Sequence, residues 1–335
     1  MRRRTVLLAL LLGLGLAGCG EVKNTIPPPA GSANSLTLML DYFPNADHVG
    51  IYAAQADGYF RQADLNVHIV APSNAATPLQ LLAAGRVDVA IGYEPDVLLA
   101  RNQGSPLVSV AAIVQRPLTS IVSLGHEHIT SPADLRGKTV GDSGIPYQHA
   151  FLETILAHAG VPSHSVKEVN VGEGLVPAMI SGRVNATLGA YWNYEAIQLQ
   201  QLHKHPHVIH MNQAGVPNYD ELVFVVRKAT IVDHPSLIRR FVQAVARGYQ
   251  AARADPARAV DQLISANPGL DRKLQLASVR ATLSSFFPSG NHPWGWQNPT
   301  QWNSFGTWMM RRHLIQNPNA IVDASTNELL AGQGI

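Results

Sequence analysis

Residues 84–92 read AGRVDVAIG, and residues 181–189 read SGRVNATLG. Each stretch combines the end of a helix, a Gly-Arg-Val turn and a short apolar strand. The glycines of the two turns, Gly85 and Gly182, lie 97 positions apart. The shared context indicates two similarly built halves, although it is too short to define a periodic repeat.

Short apolar segments alternate with amphipathic segments on both sides of these two stretches. Strands are predicted at Leu36–Leu40, Leu65–Val70, Val87–Gly92, Lys138–Gly141, Val166–Val171 and in the segment that ends at Gly189. Helices are predicted around residues 49–60, from Thr77, from Pro95, from Pro146 to about Gly160, at Leu175–Ile180 and over most of the chain after Pro235. This alternation is typical of an α/β fold.

Two further strand-like segments, Leu118–Leu124 and Glu221–Lys228, flank the second half. We interpret them as two crossings between lobes. The first lobe is then discontinuous, with residues 36–119 and 225–335, and the second lobe comprises residues 120–224. We therefore predict two α/β lobes that are joined by two crossing strands, with a ligand cleft between them.

The N-terminal segment is typical of an export signal followed by a tether. Three arginines precede an apolar run, Val6–Ala17, that is shorter than the ~20 residues a membrane-spanning helix needs. The sequence Leu16-Ala17-Gly18-Cys19 resembles the bacterial lipobox, in which cleavage precedes the cysteine and its sulfur receives a diacylglycerol. We predict a signal peptide at 1–18, lipidation of Cys19 and a flexible tether over 19–35, which is rich in Pro, Asn and Ser.

Composition excludes several classes of protein. The chain has 335 residues, 46% of them hydrophobic, which argues against a disordered or collagen-like protein. Its formal charge of +2 argues against a non-specific nucleic-acid binder, and its single cysteine excludes a disulfide framework. Cleavage before Cys19 would leave 317 residues and remove Arg2–Arg4, which lowers the formal charge to −1.

The loops after the predicted strands carry the candidate ligand-binding residues, since ligands of open α/β sheets bind beyond the carboxyl ends of the strands. Residues 41–48, 93–96, 142–144 and 191–195 are rich in aromatic, carboxylate and amide side chains and poor in Lys and Arg. Aromatic faces stack on flat rings, and a carboxylate accepts hydrogen bonds from an amino-bearing ring edge. A sulfonate or nitrate would instead need basic side chains or free helix N-termini. The loops therefore favour a planar, amino-bearing heteroaromatic ligand.

Several segments resemble those of proteins that bind thiamine pyrimidine precursors. They are Leu40–Asn45 with His48, Gly50, Tyr52 and Gly58–Phe60, then Gly92–Pro95, Asp134–Lys138, Tyr191–Glu195, Trp302–Trp308 and Asn327–Leu329. The resemblance is to the SsuA/THI5-like family and covers nearly all of the chain after the signal peptide. It implies a type II periplasmic-binding-protein fold and the capture of formylaminopyrimidine or hydroxymethylpyrimidine for an ABC importer.

The same resemblance implies a set of ligand contacts. Carried onto this chain, they are Asp41, Tyr42, Asn45, His48, Tyr93, Glu94, Trp192 and Glu195. We expect a monomer that is lipid-anchored through Cys19, on the outer side of the cytoplasmic membrane or in the periplasm. The resemblance implies that it delivers its ligand to a permease and its ATPase. No cofactor, metal or nucleic-acid partner is expected.

The chain departs from the family pattern in two places in the expected pocket. Tyr42 stands where the family usually has tryptophan, and Asp47 where it often has asparagine. Three alternatives for the ligand therefore remain open: riboflavin, a different pyrimidine-like compound, or an anion of the sulfonate or nitrate type. The resemblance extends to a eukaryotic pyrimidine synthase that uses a histidine, a lysine and a cysteine-rich iron motif. His48 matches the histidine, but the single cysteine is Cys19, so we expect a binding protein rather than an enzyme.

Two other clusters of side chains, one of histidines and one of aromatic residues, are candidates for functional sites. The histidines at 203, 205, 207 and 210 suggest metal binding, but Pro206 interrupts any helical face, and we interpret them as an exposed helix end and loop. Trp302, Phe305 and Trp308 follow helical spacing and are predicted to lie in the core. Trp294 and Trp296 lie in a predicted loop and are candidates for the rim of a pocket.

Overall fold

The computed structural model describes residues 34–74 and 77–333. The predicted signal peptide, Cys19 and nearly all of the predicted tether lie outside these described residues. The last residue assigned to the tether, Ser35, is instead the first residue of a strand. Within the described ranges, no helix is both long enough and apolar enough to cross a membrane.

Two five-stranded sheets organise the chain. From edge to edge, the first contains β2 (Asn66–Val70), β1 (Ser35–Met39), β3 (Val89–Gly92), β10 (Leu222–Arg227) and β4 (Leu107–Val114). The second contains β7 (Lys167–Asn170), β6 (Thr139–Asp142), β8 (Ala186–Tyr191), β5 (Thr119–Ser123) and β9 (His207–His210). In each sheet the first three strands run parallel and the fourth runs antiparallel to its two neighbours.

The two stretches with the Gly-Arg-Val turn form β3 and β8, which are the central strands of their sheets. Central strands hydrogen-bond on both edges and are covered on both faces, so their side chains are mostly apolar, with Thr187 of β8 as a buried polar exception. The prediction of two similarly built α/β halves is thus confirmed in the strand order.

Helices cover both sheets. They are α1 (Val49–Ala56), α2 (Tyr59–Gln62), α3 (Thr77–Ala83), α4 (Glu94–Asn102), α5 (Pro146–His158), α6 (Leu175–Ile180), α7 (Glu195–Gln201), α8 (Lys228–Asp233), α9 (Pro235–Ala254), α10 (Pro256–Ala266), α11 (Arg272–Thr282) and α12 (Pro299–Arg311). Four of them, α5, α9, α10 and α12, begin at a proline, because proline fits the first helical turn, where its missing N–H costs nothing.

The crossings between the sheets are not the strands that the sequence suggested: the first is a loop, and the second is a 3-10 turn (Met211–Gln213) followed by a loop. β5 lies inside the second sheet and β10 inside the first, each paired on both sides. The chain crosses at residues 115–118 and again at residues 211–221. A boundary between residues 224 and 225 would therefore cut through β10, whose ladder partners all belong to the first sheet. Two further strands, β4 and β9, were not predicted from the sequence.

The C-terminal helices pack against both halves. Phe305 and Trp308 of α12 contact Phe151 of α5, with ring centroids 6.5 and 5.7 Å from it, and Tyr219 of the second crossing completes the cluster. The predicted core positions of α12 are confirmed, since Trp302, Phe305 and Trp308 are all buried. This apolar cluster fixes the second crossing against α5.

Close packing of α1 against α9 positions the segment between β1 and α1. A Cβ atom at Gly50 would lie 2.3 Å from the Tyr249 ring, so only glycine permits this approach. The Tyr249 hydroxyl then donates a 2.6 Å hydrogen bond to the carbonyl oxygen of Asp47. This contact fixes the short 3-10 turn Ala46–His48, which contributes to the site.

Candidate ligand-binding site

A cleft lies where the carboxyl ends of the two sheets face each other. Its volume is about 550 Å³, which includes the part open to solvent. From the first sheet it is lined by Tyr42, Asn45 and Tyr93, which we call the first wall. The second wall consists of Thr119, Ser143, Ile145, Tyr147, Gln148, Glu173, Leu175, Gly189, Tyr191 and Glu195. Residues directly after β1, β3, β6, β7 and β8 therefore converge here, as expected for an α/β fold.

Tyr93 of the first wall is held by a buried carboxylate. Its hydroxyl donates to Asp41 Oδ2 at 3.0 Å, and His48 Nε2 contacts Asp41 Oδ1 at 2.8 Å. The Asn45 backbone N–H donates to His48 Nδ1 at 3.2 Å. Because Nδ1 accepts, the proton of the neutral ring lies on Nε2, which donates to Asp41. His48 is fully buried, and both ring nitrogens are used to orient Asp41.

Asn45 forms the beginning of the 3-10 turn and lines the cavity. Its side-chain oxygen accepts a 2.8 Å hydrogen bond from the Asp47 N–H, and its side-chain nitrogen donates to the Phe43 carbonyl oxygen at 3.2 Å. Asparagine is favoured at such a position because its side chain satisfies the free N–H groups of the first turn. These contacts fix the orientation of the amide in the first wall.

Glu195 is the carboxylate of the second wall that follows β8. The Tyr191 N–H donates to Glu195 Oε2 at 2.7 Å, which turns the carboxylate back toward the end of the strand. Burial raises the pKa of Glu195 to about 7, although the hydrogen bond from Tyr191 offsets part of the rise. Glu195 therefore changes between a hydrogen-bond acceptor and a neutral acid near neutral pH.

Glu221 anchors Tyr191 and Thr119 from behind the second wall. Its carboxylate accepts from the N–H groups of Leu118 and Thr119, at 2.7 and 2.9 Å, and from the Thr119 hydroxyl at 2.9 Å. The hydroxyls of Tyr219 and Tyr191 also donate to it, at 3.0 and 3.4 Å. Since Leu118 ends the first crossing and Glu221 ends the second, one carboxylate ties both crossings to the cavity.

Gly189 makes room for two polar side chains of the second wall. It adopts a φ of +111°, and a Cβ atom there would lie 2.6 Å from Gln148 Nε2 and 2.9 Å from Ser143 Oγ. Gln148 Oε1 accepts a 2.9 Å hydrogen bond from the Ser143 N–H. Glycine is thus required both by the backbone conformation and by the close approach of these side chains.

The charge of the cavity is negative or neutral. Among the described residues that line it, none is Lys, Arg or His, whereas Glu173 and Glu195 are present. Burial, followed by the nearby Glu173 and Glu195 carboxylates, raises the pKa of Tyr42 far above its usual value. The four tyrosine rings of the two walls are therefore neutral hydrogen-bonding and stacking surfaces.

Of the eight predicted ligand contacts, four line the cavity: Tyr42, Asn45, Tyr93 and Glu195. Asp41 and His48 lie directly behind Tyr93 and orient it. The remaining two, Glu94 and Trp192, do not line the cavity, contrary to the expectation from the sequence. Both are the sequence neighbours of tyrosines that do line the cavity, but Glu94 already begins α4 and Trp192 begins the turn after β8, so their side chains leave the chain in other directions.

Glu94 is buried in the joint between the halves. Its Oε2 accepts a 2.7 Å hydrogen bond from the Asp220 N–H, and burial together with the Asp220 carboxyl raises its pKa. The Asp220 carboxylate in turn accepts from Trp302 Nε1 at 2.8 Å and from Gln301 Nε2 at 3.1 Å. Glu94 therefore fixes the second crossing rather than a ligand.

Trp192 donates from Nε1 to the Pro117 carbonyl oxygen at 3.1 Å and lines a separate, shallow pocket with Pro206 and His207. Its ring meets His210 edge-on at 5.9 Å. Tyr191 and Tyr147, rather than Trp192, present aromatic rings to the cavity. Tyr191 belongs to residues 191–195, which the sequence already indicated as a candidate ligand-binding loop. Tyr147 was not predicted; the sequence signal for it is its position next to Pro146, at the beginning of a helix that follows a strand.

Part of the segment that contains the four histidines forms a strand. His207 and His210 are the ends of β9, which pairs antiparallel with β5, whereas an exposed helix end and loop had been expected. Among the residues that the structure describes, no group of three or more His, Cys, Asp and Glu side chains is arranged to hold a metal ion.

The two tryptophans of the predicted loop differ in environment. Trp294 is buried and stacks on Tyr249 with ring centroids 4.9 Å apart, so it belongs to the core. Trp296 stacks on His292 at 4.2 Å and lines a polar pocket beside the crossings.

A family model described as "NMT1/THI5 like" matches residues 45–259, well over half of the chain. The chain belongs to the NMT1/THI5-like family. Within this family, it is 33% identical over 330 residues to the formylaminopyrimidine-binding protein of Halalkalibacterium halodurans, and the match covers 97% of this chain and 98% of that protein. It is 23% identical over 277 residues to the 4-amino-5-hydroxymethyl-2-methylpyrimidine phosphate synthase THI5 of Saccharomyces cerevisiae, covering 77% of this chain and 78% of the synthase.

Solved structures show the same fold as this NMT1/THI5-like chain. The alkanesulfonate-binding protein SsuA from Xanthomonas axonopodis pv. citri, bound to MOPS, aligns with a TM-score of 0.67 at 15% identity. The alignment covers 89% of this chain and 100% of SsuA. The expected two-lobed, periplasmic-binding-protein type of fold is therefore confirmed, while the low identity limits this comparison to the fold.

Proposed function

We propose that this chain is the extracytoplasmic solute-binding protein of an ABC importer and that it captures a thiamine pyrimidine precursor of the formylaminopyrimidine or hydroxymethylpyrimidine type. The observation that carries the proposal is the lining of the cavity. Tyr42, Tyr93, Tyr147 and Tyr191 supply aromatic surface, Glu195 supplies an acceptor, and no basic side chain is among the described lining residues.

The chemistry of the cavity suits an amino-bearing aromatic ring. Tyrosine faces stack on a flat ring at an offset, and an ionised carboxylate accepts hydrogen bonds from its amino group. The amides of Asn45 and Gln148 can complement further ring nitrogens, because each offers both a donor and an acceptor. A sulfonate or nitrate would meet two carboxylates without a basic partner, at a cost in electrostatic free energy.

We propose that the halves move relative to each other about residues 115–118 and 211–221 when ligand binds. A loop makes the first crossing and a 3-10 turn followed by a loop makes the second, and hinges typically lie in a few loop residues. We further propose that the ligand-loaded monomer delivers its cargo to a permease and its ATPase, and that Cys19 anchors the chain outside the cytoplasmic membrane. The lipobox-like sequence and the relation to a named binding protein support this arrangement.

We propose that the bound ligand leaves chemically unchanged, in contrast to the reaction that the yeast relative's name describes. The sequence after Cys19 contains no cysteine that could contribute to a cysteine-rich iron motif. In addition, His48, which matches the synthase histidine, has both ring nitrogens engaged by Asn45 and Asp41.

Calorimetry with five compounds tests the proposal: formylaminopyrimidine, hydroxymethylpyrimidine, riboflavin, taurine and nitrate. We expect binding of one or both pyrimidines and none of the two anions. Binding of the anions alone would overturn the pocket argument, and binding of riboflavin alone would change the ligand class. Recovery of the pyrimidine unaltered after long incubation would separate a binding protein from a synthase.

A further inference from the structure

A buried pair of side chains joins the two walls behind the cavity. Asp47 lies two residues after Asn45 of the first wall, and Asn193 lies two residues before Glu195 of the second wall. Asn193 Nδ2 donates to Asp47 Oδ1 at 2.8 Å. The exposed fractions of the two side chains are only 1% and 0%, respectively. This is a direct polar bond between the halves, shielded from solvent.

The orientation of the Asn193 amide follows from its neighbours. Asn193 Nδ2 also donates to Thr282 Oγ1 at 2.6 Å, and the Thr282 hydroxyl donates its own proton to the Ser278 carbonyl oxygen at 2.8 Å. Since that proton is used, Thr282 Oγ1 must accept from Asn193, which places the nitrogen of the amide there and not its oxygen. Both hydrogens of Nδ2 are thereby accounted for.

One oxygen of Asp47 and the amide oxygen of Asn193 receive no hydrogen bond from any described residue. Asp47 Oδ2 and Asn193 Oδ1 are both buried, and neither has a hydrogen-bond partner among the residues that the structure describes. An ionised carboxylate and an amide oxygen are both pure acceptors, so two such atoms would each lose hydration without compensation. A proton on Asp47 Oδ2 would make this atom a donor, and Asn193 Oδ1, on the side chain that already bonds to Asp47, is a buried acceptor that needs one.

We propose that Asp47 is a neutral carboxylic acid that forms a pair with the Asn193 amide through two hydrogen bonds, and that this pair positions the two walls of the cavity. The inference adds a positioning device to the proposed ligand site. Its tests need no ligand, so an error in the proposed ligand would leave their outcome unaffected.

The charged surroundings agree with a neutral Asp47. Burial raises its pKa well above the usual value, and the carboxylates Asp41, Glu195 and Glu221 raise it further, while the hydrogen bond from Asn193 alone lowers it. On the packed elements, His48 is engaged with Asp41, and Tyr249 of α9 donates to the Asp47 carbonyl oxygen.

The nearby residues of α11 are uncharged, since it contributes Gln275, Ser278 and Thr282 to the buried region. On α10, Arg258 is engaged in an ion pair with Asp57. The charged groups that act on Asp47 are thus all acidic.

Proton linkage to unfolding tests the neutral acid. A carboxyl whose pKa is raised in the folded protein stabilises it at low pH, and this contribution is lost as pH rises above the unfolded pKa of about 3.9. Asp47→Asn cannot ionise, and the other buried carboxyls are common to both proteins. The wild type should therefore lose stability relative to Asp47→Asn as pH rises. We expect its unfolding equilibrium constant, divided by that of Asp47→Asn, to increase about tenfold per pH unit between pH 5 and 7.

Exposed Asp233 provides the matched control, because Asp233→Asn makes the same chemical change at the surface. If the ratio of unfolding constants depends on pH no more for Asp47→Asn than for Asp233→Asn, the proposal is wrong. Should Asp47→Asn fail to fold, carboxyl carbon resonances of labelled aspartate in the wild-type protein decide the question. One aspartate with the shift of a neutral acid at pH 8 supports the pair, and ionisation of every aspartate, as expected if water bridged the two oxygens, overturns it.

Amide hydrogen exchange tests the positioning role. Asn193→Ala removes the bond between the walls, so we expect faster exchange of the Tyr191 N–H, which donates to Glu195, and of the Asp47 N–H, which donates to Asn45. Asn303→Ala at an exposed position of α12 is the control and should leave both rates unchanged. Equal rates in Asn193→Ala and the control would show that the pair does not position the walls.

Discussion

The loops that follow β3 and β8 begin alike and end differently. Tyr93 directly follows β3, Tyr191 is the last residue of β8, and both line the cavity. After β3, the next residue, Glu94, is already helical and points into the joint beside Asp220. After β8, the chain makes three further residues before α7, and only then comes Glu195, whose carboxylate returns to the cavity. Three additional residues thus convert a structural carboxylate into a candidate ligand group.

Both cavity tyrosines are supported by a buried carboxylate, but to different degrees. Tyr93 depends on Asp41 alone through a 3.0 Å bond, and it is one of two side-chain partners of that carboxylate. Tyr191 makes a longer bond of 3.4 Å to Glu221, which has four other donors. Loss of the Tyr93 hydroxyl should therefore destabilise its surroundings more than loss of the Tyr191 hydroxyl.

The largest expected effect distinguishes the two glutamates. Glu195→Gln should weaken binding of an aminopyrimidine by about 1–3 kcal/mol, because it removes a charged acceptor from the cavity. Glu94→Gln is the matched control and should change the dissociation constant by less than about threefold, since Glu94 contacts the second crossing. Calorimetry measures both, and equal losses in the two variants would remove Glu195 from the site.

The pH dependence of binding sharpens the same contrast. With a pKa of about 7, Glu195 is ionised above neutrality and protonated below it, so affinity for a neutral aminopyrimidine should fall by up to about tenfold per pH unit below pH 7. In Glu195→Gln this dependence should be absent, while titration of the ligand itself persists in both proteins. An identical pH profile in the two proteins would contradict the assignment.

The sign is opposite for stability without ligand. Because the pKa of Glu195 is raised from 4.5 in the fold, its contribution to stability is present below about pH 4.5 and is lost as pH rises through 7. We therefore expect the melting temperature of the wild type, relative to that of Glu195→Gln, to decrease over this range. A relative melting temperature that stays constant would indicate an ordinary pKa for Glu195.

Loss of the hydroxyl should affect the stability of the protein differently at the two cavity tyrosines, Tyr93 and Tyr191. Tyr93→Phe leaves Asp41 Oδ2 buried without its donor and should lower the free energy of unfolding by about 1–3 kcal/mol. Tyr191→Phe should cost about 0.5 kcal/mol or less, because its bond is long and Glu221 keeps its other donors. Urea unfolding measures the difference, and a larger loss for Tyr191→Phe would reverse the order of support inferred above.

The smallest effect on ligand affinity is expected at Trp192, beside Tyr191. Trp192→Phe removes the hydrogen bond to the Pro117 carbonyl oxygen and should cost about 0.5–1.5 kcal/mol of stability. The dissociation constant of an aminopyrimidine should change by less than about twofold, because the indole lies outside the cavity lining. A tenfold loss of affinity in this variant would return Trp192 to the ligand site.

Sequence patterns predicted most of the fold because local signals and tertiary structure agree there. The Gly-Arg-Val stretches became the two central strands, and Leu175–Ile180 is a helix with the predicted bounds. β9 was missed since its four residues, His207–His210, are too short and polar to show an apolar pattern. β5 and β10 were recognised as strands, but sequence spacing says nothing about which sheet a strand joins.

For the candidate site, the sequence by itself determined the composition of the loops: tyrosines, carboxylates and amides after the strands, with few basic residues. Tertiary structure alone decided which of these side chains face the cavity, because each direction depends on where a strand ends and a helix begins. Tyr93 and Glu94 are neighbours in sequence and point to different regions, as do Tyr191 and Trp192. The pairing of Asp47 with Asn193 also belongs to the tertiary structure, since only folding brings residues 146 positions apart into hydrogen-bond contact.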